Sequence, residues 1–127
     1  MLIDNYKQIE FIEKLLSDTK SGALLWQHAG GAGNLNSVQI YTTSINDLGM
    51  VFLRLFPESE KCDLSFDGSR VNLEFKPNEY ATEDQADTIN NLIERLYLVV
   101  CDKVPNPNNI INAYLNMDLT PEPETHQ

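Results

Sequence analysis

Residues 50–75 read MVFLRLFPESEKCDLSFDGSRVNLEF, and this stretch decides the fold. Apolar character peaks over residues 50–56, where Val51, Leu53 and Leu55 point one way and Met50, Phe52, Arg54 and Phe56 the other, a pattern suited to a central strand. Pro57 and Glu58 open a connection, after which Cys62, Leu64 and Phe66 alternate with Lys61, Asp63 and Ser65. Asp67-Gly68 is a hairpin signal, and Val71, Leu73 and Phe75 alternate with Arg70, Asn72 and Glu74 on the return. Period-two segments separated by turn residues spell an antiparallel meander.

Toward the N-terminus the same period continues. Residues 37–43 form a strand with Val38, Ile40 and Thr42 on one side, Asn46-Asp47 turns the chain after it, and residues 23–28 form a first strand. Before these, residues 4–19 carry Ile9, Ile12, Leu15 and Leu16 at helical spacing, and Asn5 with Gln8 has the spacing of a capping box. Toward the C-terminus, Thr82 and Gln85 form a second capping box ahead of Ile89, Leu92, Ile93, Leu96 and Val100, which repeat at threes and fours. That helix stops at Val104-Pro105-Asn106-Pro107, because proline cannot continue an interior turn. Asn109 caps a short final helix over residues 110–117, with Ile110, Ile111, Tyr114 and Leu115 on its apolar side.

The expected fold class is therefore α+β: an N-terminal helix, an antiparallel meander of about five strands, a long C-terminal helix and a short final helix, with the helices packed on one sheet face. Residues 1–117 make a single globular domain, and residues 118–127, with two prolines, read as a disordered acidic tail.

The chain of 127 residues has 42% hydrophobic residues, which is enough for one core and excludes a low-complexity or collagen-like scaffold. Lys plus Arg is 9 against 19 Asp plus Glu, a net charge of -10 that repels nucleic acid and anionic membranes and favours partners with a basic surface. No basic segment followed by a long apolar run opens the chain, and no apolar run approaches the ~20 residues of a membrane span, so a cytoplasmic protein is expected. Cys62 and Cys101 lack CxxC spacing and read as free thiols.

The Gly30-Gly31-Ala32-Gly33 run lacks the Lys-Ser or Lys-Thr that a Walker loop places after its last glycine, and a strand rather than a helix follows it. It reads as a hairpin loop. Neither His28 nor His126 has metal-ligand spacing to a neighbour, so no metal or other cofactor is expected.

Two features point to a protein partner. From residue 77 onward nine acids face only Arg95 and Lys103, and Glu79, Glu83, Asp84 and Asp87 gather where the long helix starts. Carboxylates there complement the helix dipole, and they also suit a basic partner surface. Secondly, two helices cover one sheet face, leaving Phe52 and Phe56 around Arg54, joined by Tyr41, on the other, unless a terminal helix crosses to bury them. Aromatic residues with an arginine are enriched in interfaces, and a homodimer is one way to hide such a face.

Residues 15–26, LLSDTKSGALLW, resemble a pattern in small uncharacterised bacterial, phage and mobile-element proteins, in which a first helix ends in a Thr-x-x-Gly turn before a strand carrying Trp. The later hairpin and the closing helix with Leu92, Leu96 and Tyr97 are similar too, so the resemblance covers roughly residues 9–100. It implies an architecture and a bacterial or phage setting, and it carries over no catalytic residues.

The leading expectation is a non-enzymatic intracellular interaction module, an inhibitor or adaptor of phage or mobile-element type, acting through the acidic helix face or the aromatic sheet face. The alternative is a homo-oligomeric binder of a small ligand, such as a signalling nucleotide or metabolite, with Gly30, Gly31 and Gly33 and Arg54 or Arg70 contacting its anionic group. An enzyme is the least supported class, since no nucleophile, base and orienting group stand together.

Overall fold

The computed structural model describes residues 3–30, 37–104 and 107–119. The elements follow in the order α1 (Asn5–Ser21), β1 (Gln27–Gly30), β2 (Gln39–Ile45), β3 (Gly49–Phe56), β4 (Lys61–Gly68), β5 (Asn72–Phe75), α2 (Glu83–Lys103) and α3 (Pro107–Leu115). This is the α+β architecture read from the sequence. The five strands form one antiparallel meander in chain order, with β3 at its centre.

Alternation along β3 works as the pattern requires. Val51 and Leu53 are fully buried on the helix side, level with Phe66 and Leu64 of β4, and Phe52 and Arg54 face away. Both long helices lie on that buried face and run in the same direction. At their N-terminal ends, Asn5 donates to Asn78 Oδ1 (2.7 Å) and Gln8 donates to the Lys76 carbonyl (2.9 Å), tying α1 to the segment that leads into α2. At their C-terminal ends, Lys103 Nζ donates to the Lys20 carbonyl (3.1 Å). Phe11 of α1 stacks on Phe75 (4.7 Å between centroids) and meets Phe66 edge-on, whereas Tyr97 of α2 meets Tyr41 of β2. The core is the layer between, built on Ile12, Leu15, Leu53, Leu64, Ile89 and Leu96.

Four local expectations change. The cap of α1 is Asp4, whose carboxylate accepts from the Tyr6 and Lys7 amides; Asn5 and Gln8 turn inward to hold residues 76–78 instead of closing a capping box. The first strand starts at Gln27 rather than at residue 23. Gly22 adopts a left-handed conformation (φ +84°) and donates to the Thr19 carbonyl, Leu24 N donates to the Asp18 carbonyl, and the chain reaches the sheet only after this turn. Trp26 is thereby drawn under α1, where its indole donates to Thr19 Oγ1 (2.9 Å). The second strand lies two residues later than residues 37–43. The final helix begins at Pro107, where a missing amide is harmless, ahead of the expected Asn109 cap. Its Ile110, Ile111, Tyr114 and Leu115 are each more than half exposed, so its apolar side is not packed on the sheet.

The α2 capping box is present, with Thr82 and Gln85 bonding each other's backbone. Residues 31–36, which include Gly31 and Gly33, and residues 120–127 of the expected tail lie outside the described residues.

Candidate functional site

The residues singled out from the sequence fall in separate places. Glu79, Glu83, Asp84 and Asp87 are exposed around the start of α2, with no ion pair among the described residues. Glu83 and Asp84 occupy its first turn, where the positive end of the helix dipole favours them.

Phe52, Arg54 and Phe56 do share the sheet face opposite the helices, but Tyr41 does not. Tyr41 pairs with Leu53, and directly opposed residues share a face, so Tyr41 points into the core with 1% of its surface exposed. There it meets the His28 ring edge-on and accepts from the Cys101 thiol (3.6 Å). Burial holds the neighbouring Tyr97 phenol well above the usual tyrosine range, with its hydrogen bond to Cys101 acting in the same direction. Burial also pushes the Cys62 thiol up to about 11, helped by the nearby Glu94 carboxylate, so Cys62 is protonated at neutral pH and poorly nucleophilic.

Arg54 is already engaged. Its guanidinium forks onto Asp63 through Nε (2.8 Å) and Nη2 (3.0 Å), level across the β3–β4 ladder, and lies 5.7 Å from the Phe56 ring centroid. Gly30 pairs with Ile40, which pairs with Arg54, placing Gly30 and Arg54 two strands apart, about 10 Å. Arg70 lies beyond Gly68, the last residue of β4, which is itself five residues from Asp63 and so about 17 Å along the strand. Gly30, Arg54 and Arg70 do not converge on one anion.

A different feature stands out along the outer edge of α1, at the sheet end that carries the β2–β3 and β4–β5 turns. A pocket of about 440 Å³ opens there. Phe11 and Leu15 of α1 form one wall, Ile45 and Leu48 another, and Phe66, Val71 and Leu73 the floor and far side. Leu24, fixed by the Gly22 turn, closes the end near Asp18. Polar side chains are confined to the rim, where Lys14 pairs with Asp18 (3.1 Å) and Ser69 and Arg70 lie opposite. Leu48 is a lip, two-thirds exposed.

The sheet end is shaped for this. Gly49 and Gly68 face each other across the ladder, and Gly49 holds φ +150° with Asp67 O, the Phe66 ring and Gly68 Cα crowding the place a Cβ would take. With no side chains from this glycine pair, the β2–β3 turn can run close to the β4–β5 turn, and the Leu48 and Val71 carbonyls both lie against Gly68.

No family model, curated protein or solved structure matches the chain. The pocket therefore carries the functional reading. Sequence inspection missed it because its walls come from four separated segments; the one local signal was Leu48, an apolar residue in a turn between Asp47 and Gly49. Among the described residues no group of three or more His, Cys, Asp or Glu is placed to hold a metal, and no helix is long and apolar enough to cross a membrane.

Proposed function

We propose that this chain is a non-enzymatic intracellular binding module whose recognition site is the pocket between α1 and the sheet end, and that it takes apolar side chains of a protein partner. The observation that carries this reading is the pocket's division into a hydrocarbon interior and a polar rim. Small-molecule sites of this size place a few polar groups inside to orient the ligand, whereas hot-spot pockets in protein interfaces take an apolar anchor and keep their polar contacts outside. Two anchors buried there are worth about 3–6 kcal/mol before the cost of association, which suits a reversible complex. The half-buried free thiols fit a reducing compartment.

The test is selection of peptides from a random library on the full chain, with Leu48→Asp as the control. Because Leu48 is an exposed lip, the substitution should leave the fold intact while placing a charge at the pocket mouth. Enriched peptides should carry bulky apolar anchors and bind the variant at least tenfold more weakly. Equal binding to both proteins would refute the assignment.

A further inference from the structure

Among the described residues, exposed large apolar side chains cluster most densely on α3 and just beyond it. The helix has nine residues, fewer than the ~12–15 an isolated helix needs, and contributes Ile110, Ile111, Tyr114 and Leu115 as one exposed stripe, with Met117 and Leu119 exposed just beyond. A helix this short and this apolar on one side is stabilised by being laid in a groove. The same chain offers such a groove.

We propose that α3 of one copy docks its apolar stripe into the α1 pocket of a second copy, and that the exchange is reciprocal, closing a two-fold dimer. This rests on the pocket being a recognition site and names its partner. Charge agrees with it: beyond the Lys14–Asp18 pair the rim carries Arg70, which has no carboxylate partner among the described residues, while residues 107–127 hold Asp118, Glu122 and Glu124 and no Lys or Arg. Each copy bears -10, but interactions between exposed charges are largely screened beyond ~8–10 Å, so the contacts at the rim dominate. Docking between copies follows from the layout. The pocket uses the outer side of α1, Phe11, Lys14 and Asp18, whereas α2 ends beside Lys20 and α3 starts at Pro107, just beyond it. Among the described residues no α3 side chain lines the pocket and the α3 stripe is exposed, so a chain's own α3 does not fill its own pocket.

The test is sedimentation equilibrium of the full chain over a range of concentrations. Wild-type protein should be a dimer. Tyr114→Asp and Leu48→Asp, both at exposed positions, should each weaken dimerisation at least tenfold with an unchanged far-UV circular dichroism spectrum. An equimolar mixture of the two variants should form a heterodimer at concentrations where each alone is monomeric, because it keeps one intact α3 and one intact pocket. A monomeric wild type overturns the proposal, as does a dimer that tolerates either substitution or a mixture that stays monomeric. If wild type is monomeric yet the selected peptides bind it and not Leu48→Asp, the pocket reading stands and the exchange of α3 falls.

Discussion

Replacing Thr19 with Val should cost far more than the change of one atom suggests. Thr19 is fully buried in the last turns of α1; its hydroxyl donates to the Leu15 carbonyl (2.7 Å) and accepts from the Trp26 indole (2.9 Å). Valine preserves the shape and removes both bonds. It leaves the indole N–H of Trp26, itself 6% exposed, without its acceptor, a penalty of about 1–3 kcal/mol. Thr19→Ser keeps the bonds and deletes one methyl group, costing about 1 kcal/mol. Urea unfolding followed by circular dichroism should rank the proteins wild type, Ser, Val. Adding Trp26→Phe should reduce the cost of Thr19→Val, since the stranded donor is gone. If Thr19→Val lies within about 0.5 kcal/mol of wild type, the hydroxyl does not hold the junction and the reasoning fails. The junction bears on the site because Asp18 and Leu24, on either side of the Gly22 turn, line the pocket. It also gives physical content to the Thr-x-x-Gly turn followed by Trp: glycine permits the left-handed cap, and threonine supplies the acceptor that pulls the tryptophan under the helix.

Gly49→Ala should destabilise the protein by about 2–4 kcal/mol, because its Cβ would fall within contact distance of Asp67 O and 2.9 Å from Gly68 Cα at φ +150°; an unaltered urea midpoint would contradict this. Cys62, with its pKa near 11, should be alkylated by iodoacetamide at pH 8 on the order of 100-fold more slowly in the native protein than in urea. Because its folded pKa is raised, the stability it contributes is complete below the unfolded value near 9 and lost as pH rises toward 11, so native and Cys62→Ala proteins should differ in alkaline sensitivity only above about pH 9. Breaking the Arg54–Asp63 fork should cost little, since the two side chains are 39% and 30% exposed; a double-mutant cycle should return a coupling of about 1 kcal/mol or less.

What was legible in the sequence was local. The alternation of Val51, Leu53, Leu64 and Phe66 fixes which face each strand buries, and Thr82 with Gln85 marks where α2 starts, because each signal lies within a few residues. Tyr41 was misplaced because its face depends on register across β2 and β3. Residues 46–48 form the turn, with Asn46 left-handed at φ 44°, and this length opposes Tyr41 to Leu53 rather than to Phe52. Trp26 left the first strand because a hydrogen bond to a residue seven positions earlier outweighs strand periodicity. Asn5 and Gln8 have the spacing of a cap, yet their partners are residues 76–78, more than sixty positions away. The pocket was illegible for the same reason: Phe11, Leu24, Leu48 and Val71 meet only once the meander and α1 are assembled.

The most direct measurement is a methyl NMR titration of the full chain with the tightest peptide from the library selection. We expect shifts at Leu24, Ile45, Leu48, Val71 and Leu73, which line the pocket, with Ile40 on the opposite sheet face unmoved. Shifts centred on Ile40, with the pocket methyls silent, would contradict the assignment and move recognition to the Phe52–Arg54–Phe56 face.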